Sequence, residues 1–343
     1  MDNNTFVIPG ENLVEKLIWL NSNVQSNGNY IIEVNTDENI DTQYSSLSYS
    51  DKSNIIITIK GIGSNKIISL SSKGNLFKVG LGVTLILDNN ITLRGINNNE
   101  ESLVEVSGTL VMNDGSAITN NTNRRYGNLE MFTNAGGVQV WNTGTFIMNG
   151  GIISGNTSSG GCGLAGGGVS VCGTFTMKGG TISGNTSLHG GGVNVAIDSS
   201  FIMEGGTISG NKAQLGGGVC IQSEGKTFVK TGGTITGYAS DTVNGNVVII
   251  NGRVADYSWS YNFGHAIICF INDNNAKCKD TTAGPTDNMS YTDGNFIGVW
   301  DGKTTASVSS SNNDDSDDSS GSGCGCGVGI AVILGILGFL LSR

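Results

Sequence analysis

Charge is scarce in this chain, and proline is nearly missing. Only 13% of the 343 residues are charged, and the formal net charge is −10. No basic stripe runs along it, so nucleic acid is not an expected partner. With only two prolines, almost every backbone N–H is free to join a ladder. Paired acids are also lacking where the sequence is most regular. From Thr143 to Gly237 the only acids are Asp198, Glu204 and Glu224, at different phases of the pattern. Glycosidase or lyase chemistry needs clustered carboxylates, so no catalytic residue, cofactor or metal is expected there.

Glycine and repetition take their place. The 54 glycines accompany four copies of one phrase: GTFIMNGGIISGN, GTFTMKGGTISGN, SSFIMEGGTISGN and KTFVKTGGTITGY. Their anchors Phe146, Phe175, Phe201 and Phe228 lie 29, 26 and 27 residues apart. Between copies stands a second phrase, GGGV, at Gly166–Val169, Gly190–Val193 and Gly216–Val219. A period of this length marks a solenoid, whose repeats bury their apolar faces only by stacking. Within a repeat the apolar residues alternate, which means strands. Three short strands (TFTM, TIS and GVNV) fit each turn, with glycine supplying the tight corners. The reading is all-β: a right-handed parallel β-helix with an inner phenylalanine column, an inner column of Met148, Met177 and Met203, and an amide ladder of Asn156, Asn185 and Asn211.

The coil is expected to begin well before the clean copies. Strand-like runs at 31–34, 54–63, 66–70, 75–95 and 102–118 precede them, and Leu110, Met112, Gly115 and Ile118 read as a degenerate repeat. Leu13, Leu17, Ile18 and Leu20 have helical spacing, so a short amphipathic helix should cap the first coil. The pattern falters at Lys230 and Tyr238, where Met and Asn are due, and the regular coil is expected to end near 252. The organisation is then an N-terminal cap over 1–29, the β-helix over 30–252, a C-terminal cap region over 253–303, a disordered Ser/Asp linker over 304–323, and a hydrophobic anchor or sorting signal over 324–343.

The apolar run Val328–Leu341 spans 14 residues, short of the roughly 20 of a spanning helix. It follows a polar stalk and precedes a terminal Arg343, an order that suits a retained anchor, a lipid-anchor signal or a bacterial sorting signal. All three place the rod at the cell surface, outer membrane or outside, held or processed at its C-terminus. No signal peptide is visible, because Met1–Asn4 lacks a basic region and Glu15 and Lys16 interrupt residues 12–20. A missing leader is the preferred explanation over unconventional export or a cytosolic tail-anchored protein.

Seven cysteines cannot all pair. Cys172 and Cys220 fall on outward positions about two coils apart, roughly 10 Å, too far for a disulfide. Cys269 and Cys278 could close a hairpin. Cys324 and Cys326 lack CxxC spacing and a nearby histidine, so processing or lipidation is the candidate role and zinc is not expected. His189 reads as a solvated loop residue. The insertion at 122–134 carries Arg124, Arg125, Tyr126 and Glu130, a candidate binding loop on one face of the rod. Trp259, Tyr261, Phe263 and Trp300 are expected to pack a cap, with carbohydrate binding as the alternative. Thr181, Thr207 and Thr234 form an outward column, too short and too single for an ice-binding lattice. Asn156 and Asn185 also start N-x-S/T sequons, which matter only in a eukaryotic secretory host.

At the GGTISGN and GGGV phrases the chain resembles pectate-lyase-like right-handed β-helix proteins of bacterial surfaces, including repeat-rich adhesin-like ones. A looser similarity is to the polymorphic membrane proteins, whose GG-x-I motif matches Gly150–Ile153, Gly179–Ile182, Gly205–Ile208 and Gly232–Ile235. The companion F-x-x-N motif of that family does not recur through these copies, and no autotransporter barrel follows. The resemblance covers roughly 105–250 and implies adhesion or surface display, with no catalytic residue carried over. The expectation is a non-enzymatic cell-surface β-helix, adhesive or structural, with a membrane at its C-terminus and a glycan or a host or other extracellular protein as partners. The alternative is a carbohydrate-active enzyme, which would have to gather Asp88, Glu100, Glu101, Glu105 and Arg94 in one cleft.

Overall fold

The computed structural model describes residues 5–124, 135–159, 165–196, 198–221, 227–238, 241–254, 265–269, 277–280 and 298–300. Among them the chain winds as a parallel β-solenoid of about eight turns with one α-helix. Three parallel sheets form its sides. The first holds ten strands, from Thr5–Val7 to Lys277–Asp280, and includes every TFTM-type segment. The second holds eight, from Glu38–Ile40 to Thr234–Ile235, and includes the TIS segments. The third holds nine, from Ser46–Leu47 to Gly298–Trp300, and includes the strands after each GGG run.

Period-two alternation sets the core. Phe146, Phe175, Phe201 and Phe228 pair in register and are fully buried. The first three rings stack at 4.6 and 4.8 Å, 6° and 4° from parallel. Leu85 and Leu110 continue this column toward the N-terminus. Met112, Met148, Met177 and Met203 form the second column, and Lys230 takes the next place, buried where methionine was due. The backbone register therefore holds where the side-chain pattern falters.

The asparagine ladder is longer than the repeats announce. Asn121, Asn156, Asn185, Asn211 and Asn246 are wholly buried, and the backbone N–H of each of the first four donates to the next Oδ1 at 3.0–3.1 Å. Their Nδ2 atoms donate to carbonyls across the coil, as Asn185 does to Ile153 at 3.0 Å. Asn99 extends the ladder upward through Asn121 Oδ1 at 2.9 Å. The asparagine expected at 238 is Asn246. An excursion after Gly237 turns at Asp241, whose Oδ1 accepts from the N–H of Val243 and Asn244, and rejoins the coil by a Gly237–Asn246 bridge.

Beside the ladder runs a fourth, short parallel column through Asn123, Ser158 and Thr157, Thr186, Lys212 and Val247. It lies directly on the GGG runs. A Cβ on Gly191 would sit 2.3 Å from the Gly217 carbonyl oxygen and 2.6 Å from that of Lys212. These glycines are there for close backbone approach, whereas Gly151, Gly180 and Gly206 hold corners at φ of 81–84°.

Helix α1, Leu13–Asn23, starts at Asn12, whose side chain accepts from the Glu15 N–H while Glu15 bonds back to the Glu11 N–H. It buries Leu13, Lys16, Leu17 and Leu20; Ile18, expected inward, is 49% exposed. The N-terminal region supplies a strand as well as a cap, since Thr5–Val7 pairs in parallel with Asn29–Ile31. The coil also continues past 252. Ile267–Cys269 and Lys277–Asp280 extend the third and first sheets in parallel, and Gly298–Trp300 adds an antiparallel edge.

Candidate functional site

A solenoid offers its sides, and two of the three sides here are open. On the second sheet the outward residues form two columns. One runs Thr92, Ala117, Ile152, Thr181, Thr207 and Thr234, the other Arg94, Thr119, Ser154, Ser183 and Ser209. The single threonine column read from the repeats thus has a hydroxyl neighbour along most of its length. On the first sheet, Thr84, Thr109, Thr145, Thr174 and Ser200 run beside Ile86, Val111, Ile147, Thr176 and Ile202. Side chains on one column repeat at the coil spacing, about 4.8 Å.

The third side is closed in its C-terminal half. Lys78 and Glu105 pair at 3.9 Å near solvent, but Gln139, Ser170, Asn194 and Cys220, at the same outward phase, are buried. Cys220 therefore does not reach the surface, contrary to its outward phase. Cys172 is partly buried, accepts from Gln139 Nε2 at 3.5 Å, and has its thiol pKa pushed up by that burial. His189 is half-buried rather than fully solvated. Its backbone bridges to Leu215, and burial lowers its pKa.

One polar cleft of about 350 Å³ opens at the N-terminal end, lined by Thr42, Ser45, Lys73, Lys78, Glu100 and Glu101 among others. It collects part of the set an enzyme would need. Glu100 is paired with Lys73, and Glu105 reaches Lys78. Asp88 is elsewhere, on the first sheet beside Asn113 (3.2 Å), and Arg94 ends a strand of the second. Asp198 and Glu204 lie on one coil, not on different ones, at the two ends of the strand Ser200–Met203. Among the described residues no group of three or more potential metal ligands occurs.

Of the insertion at 122–134, Thr122–Asn123 belong to the coil, and the Arg124 N–H bonds to the Asn99 carbonyl. Arg125, Tyr126 and Glu130 lie outside the described residues, as do Glu224, Trp259, Tyr261, Phe263, Cys324, Cys326 and all of 301–343. Cys269 and Cys278 are carried by strands of different sheets rather than by a hairpin; their side chains are outside the description. Among the described residues no helix is long and apolar enough to cross a membrane.

The sequons at Asn156 and Asn185 are consumed by the ladder. Asn156 and Asn185 are fully buried with both side-chain amide atoms bonded. Secreted from a eukaryotic host, the folded chain should carry no glycan at either position. A glycopeptide covering Asn156 or Asn185, recovered from folded protein by mass spectrometry, would contradict the ladder.

Compared with protein-family models, with curated proteins and with solved structures, the chain matches none.

Proposed function

We propose that the chain is a non-enzymatic cell-surface rod of the adhesin-like, pectate-lyase-like kind, which holds a glycan along the outer face of its second sheet. The observation that carries this reading is the double column at Thr181, Thr207 and Thr234 and at Ser154, Ser183 and Ser209. Each hydroxyl offers one donor and two acceptor positions. Repeated at the coil spacing, they suit a polymer that itself repeats hydroxyl groups. The apolar run Val328–Leu341 is proposed to hold the rod at a membrane, with residues 304–323 as its stalk.

The test is binding of the full chain to an array of immobilised glycans, beside a variant with Thr181→Lys and Thr207→Lys. Retention on a glycan class that falls about tenfold in the variant supports the reading, since filling a contact surface with lysine removes its hydroxyls and its fit. Retention unchanged by the variant, or none on any glycan, overturns it. Surface placement is checked by protease shaving of intact cells carrying a tag in 304–323. A second reading, a carbohydrate-active enzyme, draws on the cleft at Glu100 and Glu101. Release of reducing sugar, lost on Glu101→Gln, would put it first.

A further inference from the structure

The outermost column of the first sheet carries a charge pattern that inverts about the centre of the molecule. It follows the inner methionine column by one residue. In coil order it reads Glu33, Lys60, Asp88, Asn113, Asn149, Lys178, Glu204, Thr231. Register fixes the set. Glu33 pairs with Lys60, and the N–H groups of Asp88, Asn113, Asn149, Lys178, Glu204 and Thr231 each bond to the preceding coil's inner residue at 2.7–2.9 Å. Within the chain, Lys60 reaches Glu33 at 3.3 Å, Asn113 reaches Asp88 at 3.2 Å, and Asn149 reaches Asn113 at 3.0 Å. The remaining outward columns of this sheet, through Ile86, Val111, Ile147 and Ile202 and through Thr84, Thr109, Thr145 and Thr174, carry no charge as far as Val229 and Thr227, and reach Lys279 and Lys277 only on the tenth strand.

We propose that this face is an antiparallel, two-fold interface with a second copy of the chain. A two-fold axis along the strand direction, between Thr109–Met112 and Thr145–Met148, sets each column against itself in reverse. Lys60 then faces the partner's Glu204, and Asp88 faces the partner's Lys178. Asn113 faces the partner's Asn149, amide to amide, and Glu33 faces the partner's Thr231. Every charged pair so formed is of opposite sign or charge to neutral. Beneath them Val111 meets the partner's Ile147, and Ile86 the partner's Thr176.

The axis also divides the ten-stranded sheet at its middle, five strands on either side. Overlap is therefore complete. Ten strands and three outward columns make a strip of roughly 45 by 14 Å, about 1,200 Å² over both copies, the size of a specific interface. Parallel association, coil against equal coil, would set Lys60 against Lys60 and Asp88 against Asp88. Charge alternation within one chain requires only that neighbours differ, not that the signs invert about the centre of the sheet. The pairing uses the first sheet and the glycan face lies on the second, so the two do not compete.

The experiment uses full-length chain in mild detergent, half of it 15N-labelled, treated with a zero-length carbodiimide and mapped by mass spectrometry. In one chain Lys60 and Glu204 are five coils apart, about 24 Å, so a direct amide between them reports two chains. The expected result is mixed-isotope Lys60–Glu204 and Asp88–Lys178 links, beside the intrachain Glu33–Lys60 link. Lys178→Glu, which faces the partner's Asp88, should lower the Lys60–Glu204 link about tenfold, because like charges across an interface are strongly disfavoured. The Glu33–Lys60 link should not change, which reports that the coil is still folded. A single-chain mass by light scattering at about 100 μM, a concentration that populates even weak complexes, overturns the proposal. So does a dimer lacking the two mixed links, or one indifferent to Lys178→Glu.

Discussion

Asn185→Ala is expected to lower the free energy of unfolding by about 3–5 kcal/mol. The side chain is fully buried and serves both directions of the ladder. Its Oδ1 accepts from the Asn156 N–H and Nδ2 at 3.0 and 3.1 Å. Its Nδ2 donates to the Ile153 carbonyl and to Asn211 Oδ1, both at 3.0 Å. Truncation strands the Asn156 donors and takes a partner from Ile153, each orphan costing about 1–3 kcal/mol where water cannot reach. An outward residue of the same repeat, Thr176→Ala, should cost under about 0.5 kcal/mol. Urea denaturation followed by far-UV dichroism measures both. Equal effects from the two variants would mean the ladder contributes nothing beyond its backbone.

Gly191→Ala should be worse than a substitution at a glycine with positive φ, the reverse of what dihedral preference alone suggests. The added methyl would meet only backbone: the Gly217 oxygen at 2.3 Å and Lys212 atoms at 2.6 and 2.7 Å. No side chain can swing aside. Either the fourth column lifts off the GGG run or the coil opens, with an expected loss of about 3 kcal/mol, the upper end of the usual overpacking cost. Gly184 has φ of 66°, yet the nearest atom to a methyl there is 3.9 Å away. Its replacement by Ala carries only the left-handed backbone penalty, roughly 1–2 kcal/mol. Thermal unfolding of the two variants ranks them. If Gly184→Ala unfolds at the lower temperature, the close packing of the two columns is not what the GGG runs are for.

The parts of this fold that were legible in the sequence are those where one residue type recurs at one phase. Phe146, Phe175 and Phe201, the methionines, and Asn156, Asn185 and Asn211 announced their columns because each must fit the same slot in successive coils. The signal weakens where backbone register persists while the side chain changes. Lys230 and Asn246 belong to those columns, but a substitution in one case and an excursion through Asp241 in the other hide them. The glycine runs were legible as repeats and not as a packing device, since composition does not distinguish a glycine needed for its φ from one needed for its missing Cβ. The closed third face was not legible at all. Gln139, Ser170, Asn194 and Cys220 look like a surface column by alternation, and only their burial shows otherwise. Of the candidate site, the threonine column was visible in TIS. The charge column was not, because its members lie between 25 and 36 residues apart and no single residue type runs through it.

Each coil is bonded only to the one before and the one after it. Under tension applied at the C-terminal end, the load therefore falls on one interface at a time. The outermost coil peels first, and the next is untouched until it becomes outermost. Each coil of about 26 residues then pays out some 90 Å of extended chain. Such a rod yields to shear in steps, lengthening while its remaining coils keep their faces intact.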